Sequence, residues 1–211
     1  MNAPHQQALD LGLPALDPRV PSHDPPSAES VPGLDLRTRF IGEDLEVVLV
    51  GAIDSHPWMT SMSRRVQHYG WRYDYRSRRV PADAYLGPLP NFLDPVLRRL
   101  QSELGFKPDQ AIVNEYEPGQ GIAPHVDCLP CFGPRLAMLS LCSDVQMDFS
   151  GPGNVDSSHP LLFPKRSLVV LDREARSEWM HSIAKRKSDP RFNLTRARRI
   201  SITFRTVVPA T

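Results

Sequence analysis

The residues with the clearest chemical potential are a histidine and a carboxylate two positions apart, His125 and Asp127. In an extended segment, side chains at positions i and i+2 point to the same side, so these two groups would be neighbours. Imidazole nitrogens and carboxylate oxygens both bind metal ions. With a second, distant histidine they would form the arrangement of two histidines and one carboxylate that suits iron(II) and leaves coordination positions open.

The second histidine must come from a strand that returns to the same end of the fold. His181 lies far beyond Asp127 in the sequence, at a distance that a later strand of a barrel can cover. We choose it as the third ligand. His159 lies in a loop rich in glycine, proline and serine, and it is the weaker candidate.

Two further predicted strands present polar groups on one face. Residues 111–116 place Asn114 and Tyr116 together, and Pro118 and Gly119 end the strand. In residues 199–205 the polar and apolar positions alternate strictly, with Arg199 and Arg205 on the polar face. Because guanidinium groups bind carboxylates through paired hydrogen bonds, two such arginines suit a short dicarboxylate. The alternative is a pair of surface arginines.

A run of alternating aromatic residues, 69–75, is the third feature with chemical potential. Tyr69, Trp71 and Tyr73 would share one face of a strand, and arginines including Arg65 lie nearby. Aromatic rings and arginines together bind exposed bases, each stacked base contributing about 1–3 kcal/mol. We predict a substrate-binding role for these four residues. The alternative is the packed face of a half-buried strand.

The pattern of elements predicts an α+β fold. Apolar spacing predicts helices at 42–53 and 91–104, and short strands follow through the second half. This order favours a double-stranded β-helix, or jelly roll, with flanking helices. Seven prolines in residues 1–32 predict a disordered tail at 1–30, followed by one domain at 31–211.

Composition limits the class of protein. No apolar run is long enough to span a bilayer and no signal peptide is evident, so we expect a cytoplasmic monomer without membrane contact. Three cysteines do not make a disulfide scaffold. The Cys128–Cys131 spacing could suggest zinc, but a structural site needs four ligands.

In combination, these residues resemble the AlkB family of iron(II)/2-oxoglutarate dioxygenases over residues 31–208. The resemblance implies that His125, Asp127 and His181 hold iron(II). It implies also a co-substrate site and the family's reaction, in which O2 and 2-oxoglutarate give succinate, carbon dioxide and an oxidised substrate. The residues implied to bind 2-oxoglutarate are Asn114, Tyr116, Arg199 and Arg205. Because Cys128 and Cys131 would lie close to the iron ion, we expect their thiols to form a disulfide during uncoupled turnover, when the reaction runs without a substrate.

The resemblance further implies nucleic acid, DNA or RNA, as the partner, with the modified base single-stranded or flipped. In alkylation-repair members an acidic residue two positions after the metal-binding aspartate contacts the base, whereas this chain has Leu129. Residues 68–70 and 114–122 look closer to the branch that hydroxylates a wobble uridine in tRNA. Basic residues between 185 and 198 could contact phosphates. A protein or lipid substrate, or a non-catalytic binding module, remains an alternative.

Overall fold

Two antiparallel sheets packed face to face build the domain. The computed structural model describes residues 31–60, 62–152 and 158–208, and the predicted tail at 1–30 lies outside them. The strands in these ranges are β1 (Leu34–Arg37), β2 (Val66–Tyr69), β3 (Gln110–Tyr116), β4 (Ile122–His125), β5 (Phe132–Leu141), β6 (Val145–Ser150), β7 (Ser158–Phe163), β8 (Leu168–Leu171), β9 (Met180–Ile183), β10 (Ser188–Asp189), β11 (Leu194–Thr195) and β12 (Arg199–Val207). The helices are α1 (Glu43–Ser55), α2 (Asp94–Leu104) and α3 (Arg173–Ser177).

The larger sheet has six strands in the order β1-β8-β5-β12-β3-β2, and the smaller has four in the order β4-β9-β6-β7. Between them lies an apolar cluster to which both contribute, including Met138 and Leu171 from the large sheet and Phe149 and Phe163 from the small one. This is the predicted jelly roll. Within the described residues no helix is both long and apolar enough to cross a membrane.

Helices α1 and α2 cover the outer face of the large sheet. Leu49 and Ile53, one turn apart in α1, and Leu100 in α2 are fully buried in one cluster with Ile202 and Phe204 of β12. The alternation predicted for β12 is therefore correct, and both of its faces are buried. The apolar side chains of β12 pack in this cluster beneath the helices, so the apolar positions of the strand are constrained as strongly as the polar ones.

The predicted aromatic strand through 69–75 is wrong. Strand β2 ends at Tyr69, because Gly70 adopts φ +77 in the left-handed region and turns the chain. A Cβ at Gly70 would lie 1.9 Å from the carbonyl oxygen of Asp109, so only glycine fits this close approach. The aromatic side chains that follow are consequently distributed over different surfaces instead of sharing one.

Candidate active site

The register of β4 and β9 brings the two histidines together. His125 lies directly opposite His181, and the ring centroids are 4.3 Å apart. Opposed residues of an antiparallel pair project to the same face, so the large separation in sequence disappears in the sheet. The two strands approach closely at Gly121, where a Cβ would lie 2.2 Å from the carbonyl oxygen of Ile183.

Asp127 completes a group of three possible metal ligands. Its Oδ1 lies 3.4 Å from His125 Nε2, and one ligand atom from each of the three residues lies within 4.8 Å of the others. Across the described ranges, this is the one group of three or more histidine, cysteine or acidic side chains with that spacing. His159 lies in β7 rather than in a loop and is not part of this group; its ring is 5.1 Å from that of Trp179.

The protonation of Asp127 and His181 suits metal binding. Burial acts to raise the pKa of Asp127, but the Arg205 cation and the neighbouring His125 outweigh it, so the pKa falls below its usual range. Burial and the neighbouring His125 lower the pKa of His181 to about 4. Both groups are therefore in the ligand-competent form at neutral pH, as an ionised carboxylate and a neutral imidazole.

Hydrogen bonds orient two of these side chains. His125 Nδ1 lies 2.9 Å from the carbonyl oxygen of Ala123 and donates a hydrogen bond to it, which leaves Nε2 free for a metal ion. Arg205 Nη1 donates to Asp127 Oδ2 at 3.0 Å, while the other carboxylate oxygen, Oδ1, is the one near His125. The set of two nitrogens and one carboxylate oxygen fits iron(II).

The neighbouring strands β3 and β12 present the residues predicted to bind a dicarboxylate. Arg199 is directly opposite Tyr116, and Ser201 is opposite Asn114, so all four side chains share the inner face. Arg199 is 3% exposed, and its Nε donates to Ser140 Oγ at 2.9 Å. Its pKa is lowered to about 10 by burial, which leaves it cationic at neutral pH.

Arg199 also provides the test of whether a carboxylate fits. Both of its terminal nitrogens, Nη1 and Nη2, are buried and find no hydrogen-bond partner among the described residues. Leaving two charged donors unpaired is costly, and a carboxylate accepts two parallel bonds from such a pair. Arg205, by contrast, is already engaged with Asp127 at the metal end. The two arginines thus mark opposite ends of the pocket.

A cavity of about 480 Å³ connects these groups. Its lining includes the three candidate metal ligands together with Asn114, Tyr116, Arg199 and Arg205. Aromatic and basic side chains also line it, namely Arg64, Tyr73, Tyr75, Arg78 and Lys185. Arg64 reaches the co-substrate side, since its Nε donates to Asn114 Oδ1 at 2.8 Å.

Of the four residues predicted to bind substrate, Tyr73 lines this cavity and three do not. Tyr69 packs beside Phe92 under the helices, at 5.6 Å between ring centroids. Trp71 packs against Tyr85 instead, with the two rings tilted. Arg65 forms an ion pair with Glu115 on the opposite face of β3. The turn at Gly70 separates Tyr69 from Trp71 and Tyr73.

Arg176 of α3 has a role that the sequence does not indicate. Its side chain is 3% exposed and donates to the carbonyl oxygens of Asp127, Cys128, Phe132 and Gly133. The loop after the metal-binding segment is therefore fixed by one buried cation. Backbone carbonyls leave no mark in a sequence, so only the folded chain could reveal this role.

A jelly roll that presents two histidines and an aspartate beside a buried arginine defines a non-haem iron(II) oxygenase scaffold. Residues 52–205 match the model of the 2OG-Fe(II) oxygenase superfamily. The chain belongs to this superfamily, among its AlkB homologues. Iron(II), 2-oxoglutarate and O2 are the cofactor and co-substrates of the family.

Individual relatives agree with this assignment. The chain is 36% identical over 165 residues to the tRNA (carboxymethyluridine(34)-5-O)-methyltransferase alkbh8 of Xenopus tropicalis, covering 75% of this chain and 26% of that protein. It is 32% identical over 209 residues to human alpha-ketoglutarate-dependent dioxygenase alkB homolog 4, covering 82% and 67%. The chain thus spans about a quarter of the length of the Xenopus relative. The solved structure of OsALKBH1 shares the fold, with a TM-score of 0.62 at 16% identity, covering 83% of this chain and 97% of that one.

Proposed function

We propose that this chain is an iron(II)- and 2-oxoglutarate-dependent dioxygenase that oxidises modified or alkylated bases in nucleic acid, by demethylation or hydroxylation. The observation that supports it best is the cross-strand pair of His125 and His181, with Asp127 beside it and the unpaired guanidinium of Arg199 in the same cavity. A metal and a dicarboxylate would each find matching donors there.

The roles of the side chains follow from their contacts. His125, Asp127 and His181 hold the metal ion, which supplies O2 activation coupled to decarboxylation of 2-oxoglutarate. Arg205 keeps Asp127 ionised and turns one of its oxygens towards the histidines.

The far carboxylate of the co-substrate binds the free nitrogens of Arg199. Tyr116 lies under the same guanidinium, whose Cζ is 5.7 Å from the ring centroid. Asn114, fixed by Arg64, lines the wall between the two ends of the pocket.

The remaining wall suits a nucleobase. Tyr73 and Tyr75 lie at the cavity with ring centroids 5.0 Å apart, and Arg78 and Lys185 add positive charge. Aromatic rings stack on bases, and cations at the entrance attract phosphates. The target carbon of a base is inaccessible in a duplex, so the base enters unpaired or flipped.

Within this class, hydroxylation of a wobble-uridine side chain in tRNA is the second candidate. The similarity to the Xenopus protein, whose name specifies tRNA carboxymethyluridine, favours it. So does Leu129, an exposed apolar residue where repair members have an acidic one. The name of a Caenorhabditis elegans relative, DNA N6-methyl adenine demethylase, keeps DNA among the substrates to be tested.

Succinate release tests the proposal. The chain with iron(II), 2-oxoglutarate and O2 is offered methylated oligonucleotides, tRNA and peptides, and we expect stimulation by nucleic acid. His125→Ala should abolish release, whereas His159→Ala, which changes a histidine that does not line the cavity, should leave it intact. Stimulation by peptides alone, or equal activity of the two variants, would overturn the proposal.

A further inference from the structure

The Cys128–Cys131 pair lies beside the candidate metal centre but has no part in the proposed reaction. Cys128 follows Asp127 directly and lines the same cavity. The structure contains a disulfide between Cys128 and Cys131, with the Cα atoms 5.3 Å apart. This bond joins residues only three positions apart, so it ties no two elements of the fold together. A purely structural role is therefore a poor explanation of it.

Zinc is also a poor explanation. The group of candidate metal ligands found in the described ranges contains no cysteine. The third cysteine, Cys142, packs against the cluster under the helices, on the other side of the large sheet. A closed structural zinc site needs four ligands, and only two sulfurs are present here.

The backbone around the pair is fixed independently of the sulfur–sulfur bond. Arg176 donates to the carbonyl oxygens of residues 127, 128, 132 and 133, on both sides of the cysteines. Val208 donates its N–H to the carbonyl oxygen of Cys131 at 2.8 Å. These hydrogen bonds hold the two cysteines close enough to form a disulfide, whether the sulfurs are bonded or reduced.

Both sulfur atoms approach one carbonyl group. Cys128 Sγ lies 3.6 Å and Cys131 Sγ 3.4 Å from the carbonyl oxygen of Arg78. In the dithiol form each S–H would donate to this oxygen, which keeps the two sulfurs adjacent before they bond. Arg78 and Tyr73 line the cavity, so the pair is also in contact with the wall that faces the substrate.

We propose that Cys128 and Cys131 are an internal reductant for turnover without substrate, an inference that rests on the proposed function. In that case the oxygen atom that would enter a substrate is reduced to water. The balance is 2-oxoglutarate + O2 + 2 R–SH → succinate + CO2 + R–S–S–R + H2O. Each thiol loses one hydrogen atom, the S–S bond forms, and the enzyme keeps its metal in the starting oxidation state.

The experiment begins with the full chain reduced and freed of reductant. Iron(II), 2-oxoglutarate and O2 are added without nucleic acid, with and without catalase, and succinate is measured against time. Remaining thiols are alkylated in parallel, and the chain is weighed and digested to locate unmodified cysteines. We expect one succinate for each Cys128–Cys131 disulfide until the pair is consumed, while Cys142 remains open to alkylation on unfolding.

Control samples separate this reaction from simple air oxidation. Omitting 2-oxoglutarate, or using His125→Ala, should prevent disulfide formation. Cys142→Ser should behave as the parent chain, and Cys128→Ser should lose no thiol at Cys131 to a disulfide within the chain.

Four results would overturn the proposal: succinate accumulating while both thiols stay alkylatable, disulfide formation at the same rate without 2-oxoglutarate, its prevention by catalase, or succinate release only when nucleic acid is present. Absence of succinate under every condition, nucleic acid included, would overturn the proposed function itself.

Discussion

Arg176 Nη1 donates a hydrogen bond to the backbone carbonyl oxygen of Asp127 at 3.0 Å, so a buried cation holds the backbone of a candidate metal ligand. The same guanidinium reaches three further carbonyl oxygens in the loop that follows. Asp127 is thus positioned twice, through its carboxylate by Arg205 and through its backbone by Arg176. The position of this ligand depends on side chains from two other elements, α3 and β12.

Arg176→Lys should weaken metal binding. A lysine keeps the charge but cannot form the planar fork, and each hydrogen bond to a charged group contributes about 1.5–3 kcal/mol. We expect the Kd for Mn(II), measured by calorimetry without O2, to rise about tenfold, equivalent to about 1.4 kcal/mol. The matched control is Arg135→Lys. Arg135 does not line the cavity, and it donates hydrogen bonds to Asp172 and to the carbonyl oxygen of Leu104. Equal Kd values for the two variants would show that Arg176 serves stability alone.

Arg199→Lys should separate co-substrate binding from metal binding. The loss of a two-pronged contact to a carboxylate should raise the KM for 2-oxoglutarate about tenfold to a hundredfold. The Kd for Mn(II) should not change, because Arg205 rather than Arg199 contacts Asp127. Arg198→Lys is the control, since Arg198 points to the other face and pairs with Glu115 and Asp54. An unchanged KM in the Arg199 variant would contradict the assignment.

Tyr75→Ala should impair substrate binding without affecting the co-substrate. One lost base stack costs about 1–3 kcal/mol, so the KM for the best nucleic acid should rise by about one order of magnitude. Tyr85→Ala removes an exposed ring that packs against Trp71 and does not line the cavity. We expect it to leave that KM unchanged. If both variants bind nucleic acid as the parent chain does, the base lies elsewhere.

His68 should make the fold acid-sensitive. Burial and the nearby Arg205 and Arg72 cations lower its pKa to about 4 from 6.5. Since the unfolded chain binds the proton more readily, the free energy of unfolding is highest above pH 6.5 and falls as the pH drops towards 4. The loss between pH 7 and pH 5 should be about 2 kcal/mol, at about 1.4 kcal/mol per pKa unit.

Urea unfolding of the metal-free chain with and without His68→Asn measures this contribution. His68 Nδ1 accepts a hydrogen bond from the Tyr73 N–H at 3.2 Å. The asparagine keeps an acceptor for this hydrogen bond but cannot take up a proton. The variant should therefore lose less stability on acidification than the parent chain. A decline as steep as that of the parent chain would assign the acid sensitivity to other groups.

Strict periodicity made part of this molecule predictable. Arg199 to Arg205 alternates so regularly that its polar and apolar faces follow from the sequence, and the structure shows both. The spacing of His125 and Asp127 likewise predicted neighbouring side chains. The jelly roll itself is confirmed. It was predictable because its strands are short, apolar and separated by turn residues.

Features that depend on a tertiary contact were not predictable. The break after Tyr69 arises from the close approach of Gly70 to Asp109, which lies 39 residues later in the chain (109 − 70). No local pattern in the sequence indicates this contact. The aromatic alternation therefore predicted one surface where there are several. Arg176 binds only carbonyl groups, which every residue possesses, so its partners could not be inferred from residue types.

Arg199 lies opposite Tyr116, and Ser201 lies opposite Asn114. One register of β12 therefore places its polar side chains in the catalytic pocket and its apolar side chains in the hydrophobic core. Sliding β12 by one position would push guanidinium groups beneath the helices and send Ile200 and Ile202 into the pocket, an exchange that would cost far more than the fold can tolerate. Misaligned molecules would then be too unstable to persist. Correct folding therefore also forms the pocket. In any chain that reaches the native arrangement of the two sheets, the co-substrate residues already face inward.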